Sequence, residues 1–177
     1  MNAKLSRAYM DIARRFADLS YAQRRKVGCV IVKDDIVHPG YNGTPAGWDN
    51  SCENKEYMPP ATGTILERDL DREWPFEGER IDAQGKTTYV RYRLVTKKEV
   101  LHAESNALAK MLKAGMSTRD SDVFVTLSPC IDCAKMLFQA GVRSVTYADE
   151  YRDDTGIRFL QQAGVKVHKM DEESVES

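Results

Sequence analysis

His102-Ala103-Glu104, followed downstream by Pro129-Cys130-Ile131-Asp132-Cys133, is the pair of segments from which the chain can be read. Together they supply one imidazole, two thiols, a carboxylate two residues from the imidazole, and no obvious fourth protein donor. Structural zinc sites are closed by four protein ligands, whereas catalytic sites use three and keep a position for water. Three ligands beside a glutamate that is not needed as a ligand point to a metal-activated water with its own proton shuttle.

Each segment opens a helical pattern. After His102, the positions Ala107, Leu108, Met111 and Leu112 recur at helical spacing up to a stop at Gly115. Residues 122–127 read as a buried strand, Ser128-Pro129 as the opening of a helix to about 140, and Gly141 as its cap. A strand at 142–148, a helix at 155–163 and a last strand at 165–168 follow. Upstream, 4–19 is an amphipathic helix, and 27–32 with 36–38 form a hairpin turning at Lys33-Asp34-Asp35. Gly40-Tyr41-Asn42-Gly43-Thr44-Pro45 is loop chemistry. Strands alternating with helices predict an α/β sandwich on a partly parallel sheet.

Between about 53 and 99 the character changes. This stretch is rich in charge, contains Pro59, Pro60 and Pro75, and has few apolar residues with clear period, apart from a strand or extended arm at 89–95. It reads as an insertion in one domain spanning 1–177, because it cannot bury a core alone. With 177 residues the chain can build a proper core without disulfide staples. Its formal charge of -1 argues against a dedicated nucleic-acid binder. Four cysteines, two of them in Cys-x-x-Cys, suit a reduced compartment. No apolar run reaches membrane-spanning length, and Met1-Asn2-Ala3-Lys4-Leu5 lacks a signal-peptide core. These features predict a cytoplasmic protein.

Cys130 and Cys133, three apart on a first helical turn, point their sulfurs the same way, and the positive end of that helix favours thiolate. Residues two apart do not share a helix face, so Glu104 should reach past a metal held by His102. Two thiolates neutralise most of the charge of a zinc ion, which leaves its water less acidic and in need of that carboxylate. The competing readings are a structural zinc knuckle closed by Cys29 or Cys52, and a thioredoxin-type redox pair. Either would leave Glu104 without a task.

At this point the chain resembles the zinc-dependent cytidine deaminase superfamily, and within it the deoxycytidylate (dCMP) deaminases, phage members included. The resemblance rests on Arg25-Lys26-Val27-Gly28, Gly40-Tyr41-Asn42-Gly43-Thr44-Pro45, His102-Ala103-Glu104-Ser105-Asn106-Ala107, Ser128-Pro129-Cys130-Ile131-Asp132-Cys133-Ala134-Lys135 and Glu150-Tyr151-Arg152-Asp153. The His-x-Glu and Pro-Cys-x-x-Cys elements are a signature of zinc nucleobase deaminases. The resemblance implies a three-layer α/β/α cytidine-deaminase-like sandwich with a mixed sheet of roughly five strands. It implies Zn2+ on His102, Cys130 and Cys133, with Glu104 as proton shuttle. Asn42 would lie against the nucleoside, Ser128 near the leaving amine through its carbonyl, and Tyr151 and Arg152 around the sugar-phosphate. The implied reaction is hydrolysis of dCMP to dUMP and ammonia, feeding thymidylate synthesis. The resemblance also implies a homohexamer, activated by dCTP and inhibited by dTTP between subunits, with Arg24, Lys26, Tyr41, Asn42 and Gly43 as effector contacts.

Two departures from the family stand out. Some phage relatives carry a second, structural zinc, but Ala22 here occupies a cysteine position and no histidine lies between Cys52 and His102. One zinc per chain is therefore expected. Lys113 stands where some regulated relatives have an arginine near the active-site mouth. Elsewhere, Cys29 reads as a packed core thiol, Cys52 as a bystander, and His38 and His168 as surface or satisfied-core histidines. Other functions left open are dCTP as a further substrate, a polynucleotide deaminase acting on RNA or single-stranded DNA, and a non-catalytic zinc module. A polynucleotide enzyme would need a basic groove with stacking aromatics, which the balanced charge does not advertise.

Overall fold

A computed structural model describes residues 2–57 and 76–170 of the chain. In chain order its elements are α1 (Ala3–Ala17), β1 (Gly28–Lys33), β2 (Ile36–Tyr41), β3 (Glu53–Tyr57), β4 (Phe76–Ile81) and β5 (Thr87–Thr96). They are followed by α2 (Ala103–Lys113), β6 (Asp122–Leu127), α3 (Ile131–Gln139), β7 (Ser144–Asp149), α4 (Thr155–Gln162) and β8 (Lys166–Lys169).

Five strands form one sheet in the order β2-β1-β6-β7-β8. The first two pairings are antiparallel and the last two parallel, so the sheet is mixed. Strand alternation sorts the side chains into two apolar layers. Cys29 and Ile31 of β1, with Val123 and Val125 of β6, pack under Ala107, Leu108 and Met111 of α2, Leu137 of α3 and Leu160 of α4. Their neighbours Val30, Val32 and Phe124 face the other way, against Tyr9, Met10 and Ala13 of α1. The result is a three-layer α/β/α sandwich with one helix on one face and three on the other. Cys29 is fully buried in it, as its apolar strand predicts, and burial pushes its thiol pKa up.

Local chemistry sets the element ends. Asn2 caps α1, its side-chain oxygen accepting from the Lys4 N–H at 2.9 Å. The β1–β2 hairpin turns through Asp34 and Asp35, both left-handed (φ 49° and 62°), as a tight two-residue turn requires.

Two details differ from the expectations, and a third bears one out and extends it. Gly40 and Tyr41 belong to β2, so the loop begins at Asn42. Helix α3 starts at Ile131 with an extended Cys130 as its N-cap, which leaves the buried Pro129 ahead of the helix. The expected strand at 89–95 is the long central strand of a three-stranded antiparallel sheet, β3-β5-β4. In β3 only Glu53 is buried and the other four residues are exposed, so no alternation marked it as a strand. Pro59, Pro60 and Pro75 lie outside the described residues. At the root of this second sheet Ala22, Cys52 and Val100 pack together in a small apolar cluster.

Candidate active site

Two helix N-termini converge on one point. His102 is the N-cap of α2, Cys130 is the N-cap of α3, and Cys133 lies in the first turn of α3. Neither N-cap carries the Ser, Thr, Asp or Asn that caps best, so both positions give up local helix stability to carry a ligand type. His102 Nδ1 lies 3.5 Å from Cys130 Sγ and 3.4 Å from Cys133 Sγ. All three donor atoms fall within 4.8 Å of one another, and no other cluster of this kind occurs among the described residues. Tetrahedral zinc, with bonds of about 2.1 Å to nitrogen and 2.3 Å to sulfur, requires N···S edges of about 3.6 Å. The donor set fits zinc with little movement.

The thiols are already polarised toward that role. Cys130 is drawn down to about 4, chiefly by the hydrogen bond from the Cys133 thiol and further by His102. Cys133 is raised correspondingly, as donor to Cys130 and by burial. The His102 pKa is raised by its hydrogen bond with Cys130. A metal held here would need both sulfurs as thiolates, so its binding would release a proton.

Glu104, 4% exposed, sits beside this cluster without belonging to it. Burial raises its carboxyl pKa above the ordinary value. That shift moves it toward the range in which a carboxyl can both take and give a proton near neutrality.

Backbone packing explains why the two half-sites meet. A Cβ on Gly40 would stand 2.3 Å from the Ala103 carbonyl oxygen, so β2 can press against the start of α2 only with glycine there. A Cβ on Gly156 would stand 2.1 Å from the Pro129 oxygen and 2.9 Å from the Cys130 oxygen, so the first turn of α4 buttresses the Pro129-Cys130 turn. Asn106 Nδ2 donates to the Tyr41 carbonyl at 2.8 Å, and Gly43 and Leu101 exchange two backbone hydrogen bonds, fixing the approach to His102.

A cleft of about 520 Å³ opens over His102, Glu104 and Cys130. Of the other residues singled out from sequence, Asn42, Ser128, Tyr151, Arg152 and Arg24 line it. Asn42 spends its amide on the chain: Oδ1 accepts from the Val27 N–H at 2.8 Å, and Nδ2 donates to the Arg25 carbonyl at 2.9 Å. Ser128 Oγ accepts from the Tyr151 N–H at 2.7 Å, tying the metal-side turn to the opposite wall, where Arg152 lies 5.8 Å from the Tyr151 ring centroid.

The other residues named from sequence lie elsewhere. Lys26 borders a separate depression with Arg14, Asp18 and Thr126. Tyr41 lies under the Lys110 ammonium, and neither Tyr41 nor Gly43 lines the catalytic cleft. Lys113 ends α2, roughly 16 Å along the helix from His102, so it is not at the mouth of its own chain's cleft. Two polar cleft residues escaped the sequence reading, Glu53 and Thr96. Both sat within the stretch read as insertion.

Residues 3–149 match the family of the cytidine and deoxycytidylate deaminase zinc-binding region, and the chain belongs to that family. Its relatives narrow the class further. The deoxycytidylate deaminase of Enterobacteria phage T2 is 32% identical over 159 residues, covering 80% of this chain and 79% of its own. ComE operon protein 2 of Bacillus subtilis is 39% identical over 165 residues, covering 92% of this chain and 69% of its own. The crystal structure of the dCMP deaminase of cyanophage S-TIM5, in complex with dCMP and dUMP, is 38% identical. It superposes with a TM-score of 0.70, covering 96% of this chain and 99% of the other.

Proposed function

We propose that the chain hydrolyses dCMP to dUMP and ammonia, supplying dUMP for thymidylate synthesis. The observation that carries this reading is a single cleft with a His-Cys-Cys cluster and a buried free carboxyl at its floor and arginines on its walls. His102, Cys130 and Cys133 would hold one zinc ion per chain, which, when bound, supplies the Lewis acidity that makes water nucleophilic near neutral pH. Ala22, Cys52 and Val100 pack as an apolar cluster, and among the described residues no second group of metal-ligating side chains occurs.

Glu104 takes a proton from the attacking water and delivers it to ring N3 as the water oxygen adds to C4. It then passes the second proton to the exocyclic nitrogen, so that the C4–N bond breaks and ammonia leaves. Asn42, with both amide ends engaged, positions the 25–27 backbone against the nucleoside instead of reaching out itself. The Ser128 carbonyl is assigned to the leaving amine, while its hydroxyl steadies Tyr151. Tyr151 frames the sugar, and Arg152 offers a forked donor to a phosphate dianion.

Activation by dCTP, inhibition by dTTP and a homohexamer rest on the family resemblance. Of the effector candidates Arg24, Lys26, Tyr41, Asn42 and Gly43, two line the catalytic cleft and three do not, so one chain alone does not gather them. A cytoplasmic location is part of the same reading; no helix among the described residues is long and apolar enough to cross a membrane.

Ammonia release measured with dCMP, dCTP, cytidine and a cytosine-bearing oligonucleotide tests the assignment. Turnover of dCMP at least tenfold above cytidine is expected. Activity on the oligonucleotide with none on mononucleotides would overturn it in favour of a polynucleotide deaminase.

A further inference from the structure

The inserted sheet meets the cleft at its first rung. Glu53 opens β3 and Thr96 closes β5, and the two are paired across the antiparallel ladder. Both reach the same neighbour. Glu53 Oε1 accepts the backbone N–H of Gln23 at 3.1 Å and of Arg24 at 3.2 Å. Thr96 Oγ1 accepts from Arg24 Nη1 at 3.2 Å. Arg24 is therefore held at its backbone by one strand of the insertion and at its guanidinium by the other. All three residues line the cleft above the His-Cys-Cys cluster.

Glu53 is 9% exposed, and a carboxylate so nearly withdrawn from water is costly unless its lone pairs are used. Here they are spent on fixing a loop. The same loop is tied from the other side by Asn42, through the Arg25 carbonyl and the Val27 N–H. An arginine recognises phosphate well when its planar fork is held in place, because less side-chain freedom is lost on binding.

We propose that the Glu53–Thr96 rung is a positioning device for substrate recognition. It fixes Arg24 so that its guanidinium meets the 5′-phosphate of the bound nucleotide, making the insertion part of the specificity machinery. Arg24 is thereby assigned to the substrate. The inference rests on the reading of the substrate as a cytosine mononucleotide.

The test uses Thr96→Val, which keeps shape and removes the acceptor, and the pair Glu53→Ala and Glu53→Gln, of which only the second retains an oxygen for the two N–H groups. Binding of dUMP and of deoxyuridine to the full-length, zinc-loaded proteins is measured by calorimetry, and KM and kcat for dCMP are measured in parallel. Thr96→Val and Glu53→Ala should each weaken dUMP about three- to tenfold relative to deoxyuridine. They should raise KM for dCMP more than they lower kcat, and Glu53→Gln should restore most of the affinity. A wild-type protein that binds dUMP no better than deoxyuridine would overturn the inference. So would Thr96→Val and Glu53→Ala variants that melt as wild type yet keep the full dUMP preference, or that lose both ligands equally. If wild type turns over no dCMP but the dUMP preference still falls in Thr96→Val, the proposed reaction fails while the rung's role stands.

Discussion

Single atoms decide what the cleft can do. A buried carboxyl of raised pKa, two thiols and an imidazole 3.4–3.5 Å from both sulfurs make up the reactive floor. Around it, polar side chains act mostly on backbone. Ser128 shows this most clearly, since its hydroxyl is 2.7 Å from the Tyr151 N–H and the residue is buried. Ser128→Ala leaves that N–H without its partner, at a cost of about 1–2 kcal/mol. The expected outcome is a lower melting temperature and a KM for dCMP raised several-fold, with zinc content unchanged. Wild-type KM in this variant would show that the Tyr151 wall needs no such tie.

Helix and strand ends carry the site. The metal cluster was readable from sequence because its ligands sit at fixed short spacings on two helix starts. Asn42, Tyr151 and Arg152 were readable only as parts of longer patterns. Gly156 was not, because nothing local marks a glycine required by a neighbour more than twenty residues away in the chain. Its missing Cβ is what lets α4 touch the Pro129-Cys130 turn. Gly156→Ala puts a methyl 2.1 Å from a backbone oxygen that cannot swing aside, so the turn must shift. Overpacking of this sort costs about 1–3 kcal/mol. Competition titration against a chromogenic chelator should find zinc affinity reduced at least tenfold. Unchanged affinity would mean that α4 is not the buttress. The strands of the second sheet were hidden for a related reason: four of the five β3 side chains are exposed, so polarity masked the pairing.

Across the whole molecule, the five-stranded sheet supplies stability and the second sheet brings a polar rung to the cleft. An ion pair between the buried Asp122 carboxylate and the half-exposed Arg143 links stability to pH. Asp122 opens β6; burial works against its charge, but hydrogen bonds from Arg143 Nε at 3.1 Å and Ser144 Oγ at 2.6 Å outweigh it and lower its pKa. A carboxylate lowered in the folded state adds stability above its unfolded pKa and loses it as pH falls through its folded value. Asp122→Asn should therefore destabilise by about 1–2 kcal/mol at pH 7, with the difference shrinking below about pH 4. Urea melts of both proteins at pH 7 and pH 3 check this. A deficit that persists unchanged at pH 3 would assign the effect to packing instead of charge. The α/β class and the partly parallel sheet were foreseeable from alternating strand and helix patterns, and the three layers from the family resemblance, but not the order of the strands. The meeting of Glu53, Thr96 and Arg24 was not, since it depends on chain folding over some seventy residues.

The most direct test of the chemistry is dCMP turnover by zinc-loaded Glu104→Gln, with metal content measured on the same sample. Full zinc occupancy with dUMP formation reduced by at least a hundredfold is the predicted result, because the amide cannot carry the two protons that deamination must move. Wild-type turnover in a fully loaded Glu104→Gln protein would contradict the role given to this carboxyl.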